Sequence, residues 1–390
     1  MPWKKARRHG GENAMGVHVN DYLNGAEADL LRRGQTLFGK IPLKLPAEFN
    51  LLTQKCRDEL TRELDALQTI KSLPLPSRLR KFKRIVAQVD FLEVNGFAAL
   101  NRANEDDKQL NVLVQRIVQE INYPLLPPAV TLLSQGYFYI WPLLGLLGVP
   151  LGESDSLLHL PDLYHELAHP LVDQRYEPRV QPFRRGLLQS LRMIENYTAH
   201  ELDREDRSRG PKSFRYYLGT WMKAWTEGWL IEFYCDLFAI YTLGPAFAWA
   251  HIHLCAKRGV NPFEVSGIMA TTHPADDARM TVMLHGLRYS GFVDEANLIS
   301  HRWKEYIDLA GYKPEPEFQR CYSPDILLKL AQVSYEAVEA MGCRIATPRT
   351  DDLVHNILNG AWARFWQNPK SYPMWEVDQV VQLHEQLSRR

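Results

Sequence analysis

The chain lacks an excess of charge of either sign. Its 390 residues include 46 Lys and Arg and 46 Asp and Glu, so the formal net charge is zero. A protein that coats nucleic acid or an anionic membrane usually carries a clear basic excess, and we therefore expect no nucleic-acid partner. The hydrophobic fraction of 45% and the charged fraction of 24% are typical of globular proteins and exclude a disordered or collagen-like chain.

Cysteine is scarce, and the cysteines present are scattered along the chain. There are five of them: Cys56, Cys235, Cys255, Cys321 and Cys343. No two form a CxxC pair, which excludes a thiolate zinc knuckle and a thioredoxin-type motif. A disulfide scaffold is not expected at this length and cysteine density. A reducing compartment fits these observations, and we predict a cytoplasmic protein.

Long apolar runs are also missing. The longest, residues 137–151, holds 15 residues with two prolines and two glycines, whereas a helix that spans a membrane needs about 20 apolar residues. We expect this run to be buried core and predict no membrane span. The basic start, MPWKKARRHGG, precedes no apolar stretch, so it does not have the pattern of a secretory signal. P-loop, GxGxxG and nucleophile-elbow motifs are absent as well.

Apolar residues that recur every three or four positions predict helices over most of the chain. Residues 129–160 differ, because aromatic and β-branched residues there alternate with Gly and Pro, which indicates a small sheet. The predicted fold is mainly α (α+β). We divide the chain into a flexible tail (1–25), an N-terminal helical domain (26–125), a central core (126–312) and a C-terminal helical region (313–390).

The segment His165-Glu166-Leu167-Ala168-His169 is an HExxH motif. Residues four apart lie on the same helix face, so His165 and His169 can bind one zinc ion. Glu166 then lies where it can act as general base on the attacking water. Pro170 directly follows the second histidine and predicts that the helix ends near His169.

The motif needs a third ligand, and several candidates can be compared. The metzincin extension requires Gly and His where this chain has Val172 and Arg175, which excludes that class. A cysteine ligand, Cys235 or Cys255, has no spacing in its favour. In the remaining class of HExxH zinc site, the third ligand is a Glu from a second helix, and the fourth coordination position is open for water. The downstream candidates are Glu195, Glu201, Glu227 and Glu232.

Glu232 is favoured because Asp236 follows it by four residues in an otherwise apolar helix. Two buried acids are costly unless something pairs them, and a metal ion with its histidine would do so. We expect Glu232 to bind zinc and Asp236 to accept a hydrogen bond from a ligand histidine, which fixes the ring. The alternative is an acid pair at a solvated helix edge.

The segment Thr272-His273-Pro274-Ala275-Asp276-Asp277-Ala278-Arg279 precedes another predicted helix. A metallopeptidase needs a hydrogen-bond donor for the oxyanion that forms when water attacks the carbonyl. His273 or Arg279 could supply it, although an ordinary helix start with surface residues has the same pattern. His251 and His253, two residues apart, face different sides of a helix, and we do not expect them to be a ligand pair.

Taken together, HExxH, then ExxxD, then HPx₄R resembles the gluzincin metallopeptidases, and within them the HtpX and CAAX prenyl-protease group. The resemblance covers about residues 157–287. It implies a zincin-like core in residues 126–312, with one Zn²⁺ per chain bound by His165, His169 and Glu232 and with Glu166 as base. Asp236 would support a ligand histidine, and His273 and Arg279 would contact the substrate or the transition state. That group is typically membrane-embedded, so its substrate class does not carry over.

The leading hypothesis is a zinc metallopeptidase that acts on a protein or peptide substrate. One alternative is a non-catalytic helical scaffold or regulator with a residual metal site, and another is a metallohydrolase of a non-peptide bond. The N-terminal helical domain could bind a regulatory partner. The polar segment 203–212 lies between the two ligand-bearing helices, where a gate could be located.

Overall fold

Helices dominate the computed structural model, which describes residues 12–103, 105–134, 137–174, 176–207, 214–265 and 271–389. The protein is 74% helical and has a small three-stranded sheet, which confirms the predicted mainly α (α+β) class. The chain forms two compact units, which are described separately.

The first unit comprises Met1–Lys108 together with Leu143–Leu146. Its helices are α1 (Glu12–Gly39), α2 (Asn50–Thr69), α3 (Leu75–Phe91) and α4 (Ala98–Arg102), with a π-helical turn at Leu92–Phe97. α1 packs against both α2 and α3. A buried ion pair joins α1 to α3, because the Arg78 guanidinium donates to both carboxylate oxygens of Glu27 at 2.7 Å.

Helix α1 begins at Glu12, within the residues 1–25 that the sequence analysis assigned to a flexible tail. Leu23, Leu30 and Leu37 are buried, and their seven-residue spacing places them on one face of the helix. Weak overall hydrophobicity hides this stripe in the sequence. Residues 1–11 lie outside the described part of the chain.

The second unit comprises Gln109–Pro142 and Leu147–Arg390. Helix α5 (Glu105–Glu120) enters it from the first unit. The sheet follows, with strands β1 (Ala129–Ser134), β2 (Tyr139–Trp141) and β3 (Leu146–Pro150) in the order β1-β3-β2, and β3 is buried along its whole length. The remaining helices are α6 (Asp162–Glu166), α7 (His169–Asp173), α8 (Gln181–Arg207), α9 (Phe214–Ala224), α10 (Leu230–Leu243), α11 (Pro245–Arg258), α12 (Asp276–Tyr289), α13 (Val293–Ala310), α14 (Pro316–Cys321), α15 (Pro324–Ala340), α16 (Leu353–Gln367) and α17 (Tyr372–Ser388).

Helix α10 is the central element of this unit. Every residue from Glu232 to Leu243 is buried, as expected for a helix that is apolar on all sides. It packs against α6, α8, α12 and α15. The helix ends at Gly244, whose φ of 89° strongly favours glycine, and Pro245 begins α11. Glu232 and Asp236 are therefore acids inside a core helix, which raises the question of what pairs them.

Two predicted domain boundaries differ from the structure. The first unit ends at Lys108 rather than near residue 125, and residues 313–390 do not form a separate region. The reason for the second difference is packing: α15 contacts α8, α10 and α12, and α16 contacts α11. Because these helices complete the hydrophobic core around α10, the C-terminal region belongs to the same unit as the HExxH motif.

Among the described residues, no helix is both long and apolar enough to cross a membrane. The predicted polar loop at 203–212 is helical up to Arg207, where α8 ends. Residues 208–212, the rest of the candidate gate, lie outside the described residues.

Candidate metal centre

The HExxH segment forms two short helices rather than one. α6 ends at Glu166 and α7 begins at His169, and the amide of Ala168 donates to the carbonyl of His165 at 3.0 Å in a tightened turn. Pro170 has no N–H to offer the carbonyl of Glu166, which accounts for the break. The intervening residues keep helical backbone angles, and the two histidine rings remain adjacent, with centroids 5.1 Å apart.

Glu232 brings its carboxylate to both histidines from α10. Its Oε2 lies 3.4 Å from His165 Nε2, and its Oε1 lies 3.9 Å from His169 Nε2. Two nitrogen or oxygen ligands of one tetrahedral zinc ion are roughly 3.4 Å apart. Oε2 of Glu232 is buried and has no hydrogen-bond partner among the described residues. The three side chains therefore have the spacing of a ligand set, and one of them presents an unsatisfied oxygen to it.

Asp236 holds the His165 ring from the opposite side. Its Oδ1 lies 2.9 Å from His165 Nδ1, so a proton on Nδ1 leaves Nε2 free for a metal ion. Arg279, on α12, donates to both oxygens of this carboxylate at 2.7 Å. Although burial opposes ionisation, the Arg279 charge and hydrogen bonds keep the pKa of Asp236 well below its usual range.

The charges of these groups are strongly coupled. Burial opposes protonation of the His165 ring, but the neighbouring Asp236 and Glu232 outweigh it and raise the pKa of His165. The same contacts lower the pKa of Glu232 against the effect of its burial. Burial lowers the pKa of His169 to about 4, which keeps that ring neutral. The Glu232 carboxylate is therefore ionised and the His169 ring neutral, as metal ligands must be, whereas the His165 ring has to lose one proton when a divalent cation binds.

Glu166 is buried beside these residues. Its burial, supported by the negative charge of Glu232, raises its pKa to about 7, although the His165 charge acts in the opposite direction. A carboxylate with a pKa near neutrality is suited to accept and return a proton. Asp162, at the start of α6, has its pKa raised to about 6, also by burial. Sequence reasoning did not single out this residue.

His273 lies on the exposed side of the site. Its Nε2 is 3.6 Å from Oε2 of Glu232, and its side chain is 57% exposed. The Nδ1 atom lies 2.9 Å from Thr272 Oγ1, which leaves Nε2 facing the site. Burial of part of the ring lowers its pKa. This is the position of a donor that can reach a bound molecule.

The segment that carries His273 is positioned by α10 and its preceding turn. A Cβ on Gly228 would lie 2.8 Å from the carbonyl oxygen of Thr272, so only glycine permits this close approach. Trp229 Nε1 donates to Thr271 Oγ1 at 3.1 Å. These contacts, which no sequence motif signals, connect the π-helical turn Trp225–Trp229 to the histidine.

Arg279 occupies a different position from the one expected of a substrate-contacting residue. It is buried, and its Nε and one terminal nitrogen donate to Asp236. The geometry makes it a residue that positions Asp236, and through Asp236 the His165 ring. The oxyanion-donor role proposed for it from sequence has no support from these contacts.

Cys235 is the main competitor of Glu232 for the third ligand position. Its Sγ and the nitrogens of His165 and His169 lie within 4.8 Å of one another. Burial and the nearby Glu232, Asp236 and Glu166 raise the pKa of the Cys235 thiol well above its usual range. Burial also raises the pKa of the Cys255 thiol, so this shift does not by itself exclude a thiolate ligand. The unsatisfied oxygen of Glu232 makes the carboxylate the better candidate.

The other glutamates considered from sequence lie elsewhere. Glu201 forms ion pairs with Arg320 and Arg204. Glu227 is exposed and pairs only weakly with Lys223, at 3.9 Å. Glu195 is exposed on α8. None of them shares a contact with the histidine pair among the described residues.

A groove of about 970 Å³ runs along α8 and the start of α15, away from these residues. It is lined by Arg185, Leu188, Gln189, Arg192, Met193, Asn196, Tyr197, His200, Ser323, Asp325, Ile326 and Lys329. None of the histidine or acidic residues of the site contributes to its walls. The groove is therefore a different surface from the one that holds the histidines and acids.

We define the metal centre as His165, His169 and Glu232. These residues fit a zinc ion by three observations: the ligand spacing, the unsatisfied Oε2 of Glu232 and the carboxylate behind His165. Comparison of the chain with known protein families, with curated proteins and with solved structures finds no match.

Proposed function

We propose that the protein is a zinc-dependent metallopeptidase with its active site at the metal centre. The observation that carries the proposal is the position of the Glu232 carboxylate, whose Oε2 lies 3.4 Å from His165 Nε2 and whose Oε1 lies 3.9 Å from His169 Nε2, with the buried Glu166 carboxylate nearby. A zinc ion bound there would act as a Lewis acid. It would lower the pKa of water, which could then lose a proton and attack a peptide carbonyl.

The chain supplies the proton transfers. The Glu166 carboxylate takes a proton from the attacking water and delivers it to the leaving nitrogen. A proton on His273 Nε2 can be donated to the carbonyl oxygen as negative charge develops on it. Asp236 keeps the His165 ring oriented throughout, and Arg279 keeps Asp236 in place.

The decisive experiment is hydrolysis of a mixed peptide pool by the zinc-loaded protein and by Glu166→Gln. General acid–base groups contribute about 10²–10⁴-fold to rate, so we expect a loss of that size with zinc content unchanged. Glu227→Gln, an exposed glutamate one turn before Glu232, is the matched control and should keep full activity. A fully active Glu166→Gln protein would show that the mechanism is wrong.

Two other functions remain as outcomes of this test. A scaffold or regulatory protein with a residual metal site would bind zinc but hydrolyse nothing, and Glu166→Gln would have no phenotype. Structural zinc sites usually have four protein ligands, whereas one metal-centre ligand, His169, has a side chain that is 23% exposed, which favours an accessible site. A hydrolase of a non-peptide bond would instead act on ester or amide libraries and spare the peptide pool.

A protein or peptide substrate, a cytoplasmic location and a regulatory partner of the N-terminal helices are parts of the same proposal. Helices α1–α4 contribute no residue to the metal centre, so a partner bound there would affect recognition rather than the reacting groups. The test is to compare cleavage patterns of the full chain and of Arg33→Glu, which reverses a charge on α1. Because Arg33 pairs with both Asp90 and Glu93, the matched swap that adds Asp90→Arg and Glu93→Arg separates folding from recognition.

A further inference from the structure

A second group of metal-binding side chains lies on α11 and α12. His251 and Cys255 are four residues apart on α11 and therefore share one face. Asp276, the first residue of α12, approaches that face. The three ligand atoms lie within 4.8 Å of one another. None of these residues takes part in the metal centre, and none has a role in the proposed mechanism.

The distances within this group match those of a ligand set. Cys255 Sγ lies 3.5 Å from His251 Nε2, and His251 Nε2 lies 3.8 Å from Asp276 Oδ1. A sulfur and a nitrogen on one tetrahedral zinc ion are roughly 3.6 Å apart, and a nitrogen and an oxygen roughly 3.4 Å. Both distances are therefore close to those expected for ligands of one ion.

Burial makes these side chains unusual as a purely structural group. His251, Cys255 and Asp276 are only 2%, 1% and 8% exposed. No Lys or Arg of the described residues forms an ion pair with the Asp276 carboxylate, whose recorded ion-pair partner is His251. The nearby cation, Arg279, is bound by Asp236 through two hydrogen bonds. The Cys255 thiol also forms a hydrogen bond with this carboxylate, so the three side chains face one another, and a metal ion among them would neutralise the buried charge.

We propose that His251, Cys255 and Asp276 form a second site for a divalent cation of the zinc type, which we name the α11–α12 cluster. Imidazole and thiolate ligands together select zinc over magnesium or calcium. Binding replaces the thiol proton of Cys255, which leaves to solvent as the sulfur–metal bond forms. The carbonyl oxygen of Asp276, 3.3 Å from His251 Nε2, is a further oxygen beside the site.

The position of this cluster implies a supporting role. A metal ion there would join the middle of α11 to the first residue of α12. Three residues further along α12 is Arg279, which holds Asp236 behind the metal centre. Stabilising the start of α12 therefore stabilises the arrangement that orients His165. The inference does not require the protein to be a peptidase.

The test is metal content by elemental mass spectrometry, with zinc as the only added metal, on the full chain and on Cys255→Ala. We expect about two zinc ions per chain, falling to about one in Cys255→Ala. Cys343→Ala is the matched control, because Cys343 is equally free and buried but lies outside both groups. Equal zinc content in Cys255→Ala and in the control would overturn the proposal.

Substitution with Co²⁺ identifies the ligand directly. A thiolate bound to Co²⁺ gives a charge-transfer absorption in the near ultraviolet, which imidazole and carboxylate ligands do not give. We expect this absorption in the full chain and in Glu232→Ala, but not in Cys255→Ala. If the absorption were lost in Cys235→Ala and kept in Cys255→Ala, the thiolate would belong to the metal centre and the proposal would be overturned.

Asp276→Asn covers the case in which Cys255→Ala does not fold. It keeps the shape of the side chain and removes its charge, so the near-ultraviolet absorption should persist with weaker cobalt affinity. A fully unchanged affinity would contradict the role given to the carboxylate. Glu232→Ala retains all three residues of the α11–α12 cluster. Absence of peptidase activity and absence of a second bound ion are therefore separate results.

Discussion

The metal centre and the α11–α12 cluster use similar residues in different surroundings. Each has two ligands four residues apart on helical backbone and one acid from another helix. In the metal centre, His169 is partly exposed, His273 stands at the open side, and Glu166 offers a buried carboxylate with a raised pKa. In the α11–α12 cluster all three side chains are buried.

This difference in exposure suggests a catalytic role for the metal centre and a structural role for the α11–α12 cluster. A site that does chemistry needs a position that substrate and water can reach and a group that moves protons. The partly exposed His169 and the Glu166 carboxylate are the residues that would provide these features in the metal centre. The α11–α12 cluster has neither, and its closed surroundings suit an ion that only stabilises the fold. Ligand types alone do not make this distinction, because His and a carboxylate occur in both groups.

The largest expected effect comes from Glu232→Ala. Removal of this carboxylate should empty the metal centre and abolish hydrolysis, because two histidines alone bind zinc weakly. The α11–α12 cluster should keep its ion, so zinc content should fall by about one ion per chain. Glu227→Ala, on the exposed turn before α10, is the control.

Two results would contradict this expectation. Unchanged zinc in Glu232→Ala, with loss of zinc in Cys235→Ala, would make the thiol the third ligand. Loss of both ions in Glu232→Ala would show that the two groups are not independent, and the comparison between them would then fail.

His273→Ala should affect turnover without affecting either metal. Loss of one oxyanion donor costs about 10²–10³ in kcat, and we expect an effect in that range with zinc content unchanged. His301→Ala, a similarly exposed histidine on α13 that pairs only with Glu305 in the described structure, should be silent. If His273→Ala lost zinc instead, His273 would be a metal ligand and the metal centre would be more closed than we infer.

The limits of sequence reasoning are clear in these same residues. HExxH and ExxxD could be recognised because each pair falls on one helical turn, and the cost of burying two acids indicated that they needed a partner. The role of Arg279 could not be recognised, because the partner that its side chain reaches depends on how α12 packs against α10. The α11–α12 cluster was missed because His251 and Cys255 become meaningful only when Asp276 arrives from a later segment.

For the fold as well, features that depend on local sequence could be predicted, and features that depend on contacts between distant segments could not. The mainly α class and the small sheet followed from periodicity and from the Gly, Pro and aromatic content of residues 129–160. The helix that begins at Glu12 and the membership of residues 313–390 in the second unit depend on contacts between distant segments. Local patterns do not contain such contacts, so the boundaries were predicted less well than the elements.

Asp236→Asn should have a smaller effect that is confined to the metal centre. Groups that orient a metal ligand typically contribute about 10–100-fold to metal affinity or activity, and we expect zinc affinity there to fall by that factor. Affinity of the α11–α12 cluster should not change. Competition with a zinc-selective dye, measured in the Cys255→Ala background, isolates the metal centre.

Asp277→Asn is the control for that measurement. Asp277 lies on the same helix as Arg279, and its carboxylate accepts a hydrogen bond from Trp303 at 2.8 Å rather than from a side chain of the metal centre. Equal zinc affinity in both variants would show that Asp236 serves packing of α10 and not orientation of His165.

The smallest expected effect acts on both groups through the packing of α10 against α12. A Cβ on Gly286 would lie 3.0 Å from both Ile240 Cγ2 and Leu237 Cδ2, so Gly286→Ala requires these two side chains to shift by a few tenths of an ångström. Overpacking of this kind costs about 1–3 kcal/mol in the free energy of unfolding. Gly360→Ala on α16, where a Cβ meets no atom within 4 Å, should instead stabilise the protein by about 0.5–1 kcal/mol. Urea unfolding of the two variants measures the difference. Because α12 carries both Asp276 and Arg279, Gly286→Ala should weaken zinc binding at the two groups together, and weakening of only one would show that they are coupled to α10 through different contacts.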